Sequence, residues 1–224
     1  VLFGILHCLV LSLTAQKTKT YQLLSPDKKN KITIVSAGTI TWSVQHDNVT
    51  VLAPSSLALE QPGVAIVAGA GPVLTARQRL INDTFPAIVY KKDNVINYCN
   101  ELTLECKGNY SIVFRAYNDG VAYRFITKFP GELVLTREEA TFNFPSDLLV
   151  HIPYTSDLRQ KERYSCSFEE FYTRAKLSEL PPDSLAYLPL MLQVNDTLKA
   201  VLLEADVEDY PAMFVQHNPR MNNS

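Results

Sequence analysis

The feature that most constrains this chain is a period of two in "KITIVSAGTITWSVQ", residues 31–45. Ile32 and Ile34, then Ile40, Trp42 and Val44, alternate with polar residues. Successive side chains of a strand point to opposite faces, so this spacing predicts half-buried strands and not a helix. "HDN" at 46–48 reads as a turn, and "VTVLAP" as the next strand. Further runs follow: "INDTFPAIVYKK", "ELTLECKG", "YSIVFRAY", "VAYRFITKF", "ELVLTRE" and "ATFNFP". They are short and separated by turn residues. Many such strands with no long helix between them predict an all-β, antiparallel sandwich.

The clearest hairpin is "FRAYNDGVAYRF". Asn118, Asp119 and Gly120 tolerate positive φ and predict its tight turn. Tyr117, Tyr123, Arg115 and Arg124 flank that turn. They suit either a sugar-binding or interface surface, or ordinary cross-strand pairing. One segment breaks the β pattern, "RYSCSFEEFYTRAKLSELPPDS". It is expected to be a short helix or an irregular insertion. Ser167 and Glu170 have capping-box spacing, and Pro181-Pro182 ends the segment. Phe168, Phe171 and Tyr172 would form an apolar stripe for core or interface. Strands then return over Leu188–Val194 and Leu198–Leu203, joined by an Asn-Asp turn.

The chain of 224 residues carries 21 basic and 23 acidic residues, a net charge of −2. That balance lacks the basic surface that nucleic acid requires. With 46% hydrophobic residues it is a folding sequence, not a disordered one. The opening "VLFGILHCLVLSLTAQ" is apolar from Val1 to Leu13 and ends in small residues. It reads as a secretory signal peptide over 1–15 that lacks its first residues, with cleavage after Ala15. A buried N-terminal element is the alternative. The run is too short for a membrane span of about 20 residues. Cys8 lacks the preceding small residues that a lipid anchor needs. A β-sandwich domain is then expected over 16–224. Cys99 and Cys106 are seven apart; a hairpin could bridge them in an oxidising compartment, but with Cys166 the count is odd and inert thiols are expected. Sequons stand at Asn48, Asn82, Asn109, Asn195 and Asn222 and matter only in a eukaryotic secretory route.

"LLEADVEDYPAMF", residues 202–214, sets Glu204, Asp206, Glu208 and Asp209 at the end of an apolar strand whose composition predicts burial. If that strand continues, Glu204 and Asp206 share a face. A hard cation such as calcium takes six to eight oxygens, and this stretch supplies one to three. A site here therefore needs oxygens from elsewhere; a solvated acidic loop is the plainer reading. There is no phosphate loop. His46, His151 and His217 have no nucleophile motif beside them. Carboxylate pairs of glycosidases come from distant segments and cannot be read by spacing.

Taken together, "LLSPDKKNKITI", "VLAPSSLALE", "FRAYNDGVAYRF" and "LLEADVEDYPAMF" resemble glycoside hydrolase family 97 over about residues 20 to 216. The resemblance implies the N-terminal domain of an exported, periplasmic bacterial α-glucosidase or α-galactosidase that acts on oligosaccharides. It implies a β-super-sandwich of galactose-mutarotase type, followed by a (β/α)₈ catalytic barrel. The catalytic carboxylates would lie in that barrel, so none is assigned here. Calcium would lie where the two domains meet, with Glu204 as the ligand from this one. Ala58 and Ala212 stand where the family has glycine, so local differences are expected there. Two further readings compete: a free-standing carbohydrate-binding or scaffold sandwich, and a mutarotase-like sandwich using His151 or His217 with a carboxylate in one groove.

Overall fold

The computed structural model describes residues 18–88, 91–155, 164, 168–182, 184–208 and 210–218. The signal-like segment 1–15, Cys8, Cys166, Ser167 and Asn222 fall outside them. The first strands are β1 (Lys19–Leu24), β2 (Asn30–Ala37), β3 (Thr39–His46), β4 (Val49–Gln61) and β5 (Val64–Ala68). Next come β6 (Val73–Pro86), β7 (Asn94–Cys106), β8 (Tyr110–Tyr117), β9 (Val121–Thr127) and β10 (Arg137–Ala140). The last are β11 (Leu149–Ile152), β12 (Thr173–Lys176), β13 (Leu185–Ala186), β14 (Leu190–Gln193), β15 (Lys199–Leu202) and β16 (Val215–Gln216). A 3₁₀ turn at Leu177–Glu179 is the one helical element among the described residues.

Among the described residues the strands form four antiparallel sheets. One has the order β1-β2-β3-β4-β10, with β5 on β4; a second is β6-β7-β8-β9. These two enclose the main core, in which Ile32, Ile34, Ile40, Trp42 and Val44 meet Leu102, Leu104, Ile112 and Phe114. The residues picked out by alternation are thus the buried face of β2 and β3, each worth about 1.5–3 kcal/mol of transfer from water. The turn at 46–48 has Asp47 and Asn48 in the left-handed region, at φ 45° and 66°. Gly69 is required where β5 ends: a Cβ there would sit 2.0 Å from the Leu57 carbonyl oxygen.

A smaller lobe follows. Its sheet β12-β11-β14-β15 and the pair β13-β16 enclose Leu148, Val150, Ile152, Leu177, Leu180, Ala186, Leu190 and Leu192. Phe144 packs against both cores and joins the lobes. The non-β segment takes the irregular of its two expected forms: residues 168–172 are not helical, and Thr173–Lys176 adds a strand.

The β8–β9 hairpin forms as expected, but not by the expected turn chemistry. None of Asn118, Asp119 and Gly120 has positive φ. The turn closes through a Tyr117 N–H to Gly120 carbonyl bond of 2.8 Å and is held from outside. Asn30 donates to the Tyr117 and Asn118 carbonyls at 2.8 and 3.2 Å, and the Asp27 N–H donates to Asn118 Oδ1 at 3.0 Å. Two of the flanking residues, Tyr123 and Arg115, have structural roles. Tyr123 stacks edge-on against Trp42 at 5.2 Å within a cluster that includes Phe114 and Phe125. Arg115 bonds Glu101 at 2.8 Å, and Arg79 holds the same carboxylate at 2.6 Å. Glu101 is only 3% exposed. Burial pushes its pKa up, but the hydrogen bonds and charges of Arg115 and Arg79 outweigh that and leave it below the ordinary carboxylate value.

Cys99 and Cys106 are free and buried. Both lie on β7, so no hairpin joins them; seven residues of one strand separate them by about 23 Å. Ala58 sits inside β4 paired with Glu139, and neither it nor Ala212 has positive φ, so alanine strains neither position.

Candidate functional site

The acidic stretch begins where β15 leaves the small sheet. β14 and β15 are joined by the expected Asn-Asp turn. Asn195 Oδ1 accepts from the Thr197 and Leu198 N–H groups at 2.9 and 2.8 Å, an Asx turn that fixes the hairpin. β15 then ends at Leu202, short of the expected Leu203. Val201 is 53% exposed and Leu203 60%, so the end of this strand is not buried as its composition suggested. Because the strand stops, Glu204 and Asp206 do not share a strand face; Asp206 turns the chain at φ 61°.

The loop after Leu202 is tied down at three points. The Met213 N–H donates to both oxygens of Glu204, each at 2.9 Å. The Tyr210 hydroxyl donates to Glu138 Oε2 at 2.8 Å, which fastens the loop to β10 of the large sandwich. Burial and the Glu138 charge push the Tyr210 phenol well above its usual range. Finally β16 pairs with β13, Leu185 opposite Gln216. Glu204 is therefore half-buried and oriented, while Asp206 and Glu208 are exposed. Asp209 lies outside the described residues.

A carboxylate offers about four acceptor positions, and one shared N–H leaves most of them open. No lysine or arginine among the described residues pairs with Glu204. The donor is of the hard oxygen type that calcium prefers, so the residue fits the role the resemblance implies. Among the described residues no three His, Cys, Asp or Glu side chains cluster closely enough to hold a metal ion. Further oxygens would have to come from outside them.

Beside the loop, the outer face of the small sheet carries a groove lined by His151, Tyr172, Pro189, Leu190, Met191 and Val201. Among the described residues that lining holds no carboxylate to pair with His151. His217 follows β16, and both its ring nitrogens are buried without a hydrogen-bond partner. Among the described residues neither histidine therefore meets the acid partner that a mutarotase-like site needs. The groove itself escaped sequence reasoning. Its signal was the odd register of "LPLMLQ": Leu190 and Leu192 are core, which leaves Met191 outward. No helix among the described residues is long and apolar enough to cross a membrane.

Comparison with known proteins agrees with this architecture. The family described as Glycosyl-hydrolase 97 N-terminal matches residues 23–224. A retaining alpha-galactosidase of Bacteroides thetaiotaomicron is 29% identical over 221 residues, which is 97% of this chain and 33% of that protein. The chain therefore spans about a third of the length of that curated relative. Among solved structures, a glycoside hydrolase family 97 enzyme from Pseudoalteromonas sp. strain K8 in complex with acarbose superposes with a TM-score of 0.72 at 23% identity, covering 88% of this chain and 30% of that one. A beta-arabinopyranosidase superposes with a TM-score of 0.68 at 19% identity, covering 81% and 31%.

Proposed function

This chain belongs to the glycosyl-hydrolase 97 N-terminal family, and we propose that it is the N-terminal β-sandwich domain of an exported, periplasmic, calcium-dependent α-glycosidase. The parent enzyme would hydrolyse α-glucosidic or α-galactosidic bonds in oligosaccharides. The family match and the retaining alpha-galactosidase relative support that reaction class. The catalytic carboxylates would sit in a following (β/α)₈ barrel. This domain would pack on the barrel, wall one side of the pocket and lend one metal ligand.

The observation that carries the reading is the posture of Glu204. It stands at the mouth of a loop fastened at three points, and the Met213 N–H holds its carboxylate in one orientation. A chain that needed only solubility would leave such an acid mobile in water. Orientation before the ligand arrives lowers the entropic cost of binding it. Calcium, when bound, supplies a hard positive charge that holds sugar oxygens and offsets charge developing near the scissile bond.

The test is Glu204→Ala in the parent enzyme, with calcium binding followed by calorimetry and hydrolysis by release of a chromogenic leaving group. Calcium affinity and activity should each fall by at least about tenfold, the scale of damage seen when metal-site architecture is disturbed. If both stay at their wild-type values, Glu204 is not a ligand.

A further inference from the structure

β6 is the part of the large sandwich that its core does not use. It ends the sheet β6-β7-β8-β9 and, among the described residues, pairs with β7 alone. Only Val73 in it is buried and only Ile81 half-buried, while Leu80 at its centre is 56% exposed. One side of its backbone therefore offers a long row of N–H and C=O groups with no ladder partner among the described residues. Proteins blunt such an edge with a proline, a bulge or charge. Here the irregularity lies at the start, between Val73 and Thr75, and the proline is the last residue, Pro86. That leaves the charges of Arg77, Arg79 and Asp83. Glu101 holds Arg79 at 2.6 Å. Arg77 and Asp83 make no ion pair among the described residues.

We infer that β6 joins β6 of a second copy of this chain, antiparallel and two-fold symmetric about Leu80, so that one sheet runs through both copies. The order of the charges selects this occupant. Directly opposed residues of neighbouring strands share a sheet face, and two-fold symmetry sets each residue against the one equally far beyond Leu80. Leu80 then meets Leu80, and Arg77 meets Asp83 twice, once on each side of the axis. Gln78 meets Asn82. Its Nε2 already donates to the Gln22 carbonyl at 2.8 Å, which leaves its oxygen to accept from the Asn82 amide. The neighbouring symmetric registers are worse. Centring on Arg79 sets two guanidinium groups against each other, and centring on Ile81 turns Asp83 towards an Arg79 that Glu101 already holds. A strand of another sequence lacks this reciprocity, in which both members of each pair come from one short stretch. The pairing does not depend on the glycosidase reading.

The test is sedimentation velocity of the full-length protein that carries this chain, over about a hundredfold range of concentration, with charge reversals on β6. The wild type should pass from monomer to dimer as concentration rises. Arg77→Asp and Asp83→Arg each set like charges opposite one another at two places, so each should raise the dimer dissociation constant at least about tenfold. Both side chains lie on an exposed strand, and Trp42 fluorescence checks that each variant stays folded. The double variant Arg77→Asp, Asp83→Arg restores opposite charges and should recover most of the loss. A wild type that stays monomeric throughout overturns the inference. So does a dimer that neither single reversal weakens, because its contact lies elsewhere, and so does a double variant no tighter than the singles. Amides of β6 that resist hydrogen exchange equally at every dilution give the edge to another strand of the same chain, and overturn it too.

Discussion

Among the described residues, strands of the large sandwich reach 13 and 14 residues and eighteen buried side chains share one core; in the small lobe no strand exceeds four residues and eight buried side chains form the core. The large sandwich also carries the aromatic cluster around Trp42 and the buried Glu101 clamp. The small lobe carries the groove and Glu204. Stability is not uniform across a fold, and binding elements are drawn from its weaker end. The contrast therefore suggests a division: the first region keeps the domain folded, and the second meets a partner. The two are linked through Phe144 and through the Tyr210–Glu138 bond, so the division is one of degree.

Substitutions should expose it in descending order. Phe114 is fully buried, and Phe114→Ala should cost about 3–5 kcal/mol. Trp42 is the sole tryptophan and lies 6.1 Å from Phe114, so its fluorescence during urea unfolding reports this region. A loss under about 1 kcal/mol would place Phe114 among ordinary surface-like sites and break the contrast. Glu101→Gln should follow at about 2–3 kcal/mol, the low end for a broken buried pair, because Arg79 is largely exposed and screened. Its signature is a pH dependence. Glu101 has a pKa held below its unfolded value, so its contribution is complete above the unfolded carboxylate pKa of about 4.3. It is lost as the pH falls through the lower folded value. Wild-type stability should therefore drop more steeply on acidification than that of the Gln variant. Equal slopes would remove Glu101 from the account.

Leu192→Ala, in the small core, should cost about 2 kcal/mol, since an open lobe can close partly around the cavity. The comparison sharpens here. If the lobes differ as argued, amide exchange along β14 should rise while the Trp42 transition moves by less than half that amount. A Trp42 transition that moves by the full amount would show one cooperative unit and erase the distinction.

Legibility in the sequence divides along the same line. β2 and β3 were readable because each has one buried and one wet face, and the period of two records it directly. β6 was not. It is an edge strand of fourteen residues exposed almost throughout, so no face imposes alternation. Its partner β7 was seen only in its second half, where Leu102 and Leu104 enter the core. The hairpin at 114–125 was found, but its turn is held by Asn30 and Asp27, far off in sequence. Cys99 and Cys106 are the free thiols expected, but spacing alone left a bridge open because it does not say that one strand contains both. At the site, Glu204 was legible only through motif resemblance. The Met213 N–H that orients it, and the groove around Met191, depend on where β15 stops. That end point is decided by a left-handed Asp206 and by the tie from Tyr210 to β10, and neither leaves a local pattern.

The smallest expected effect is the most discriminating. Phe171 touches water over nearly its whole surface, so Phe171→Ser should leave the stability of this chain within about 0.5 kcal/mol. The same change in the parent enzyme is a different experiment. If a following domain packs over Phe171, the ring is an aromatic anchor there, and its loss should cost on the order of 1–2 kcal/mol of the coupling between the two bodies. Thermal unfolding of the parent, followed by calorimetry, would then show the domains separating at a lower temperature, while this chain alone melts unchanged. Serine has no reason to act differently in the two settings except through a neighbour. A difference near zero would mean that the ring faces water in both; a deficit confined to the longer protein would put the weaker lobe at the junction.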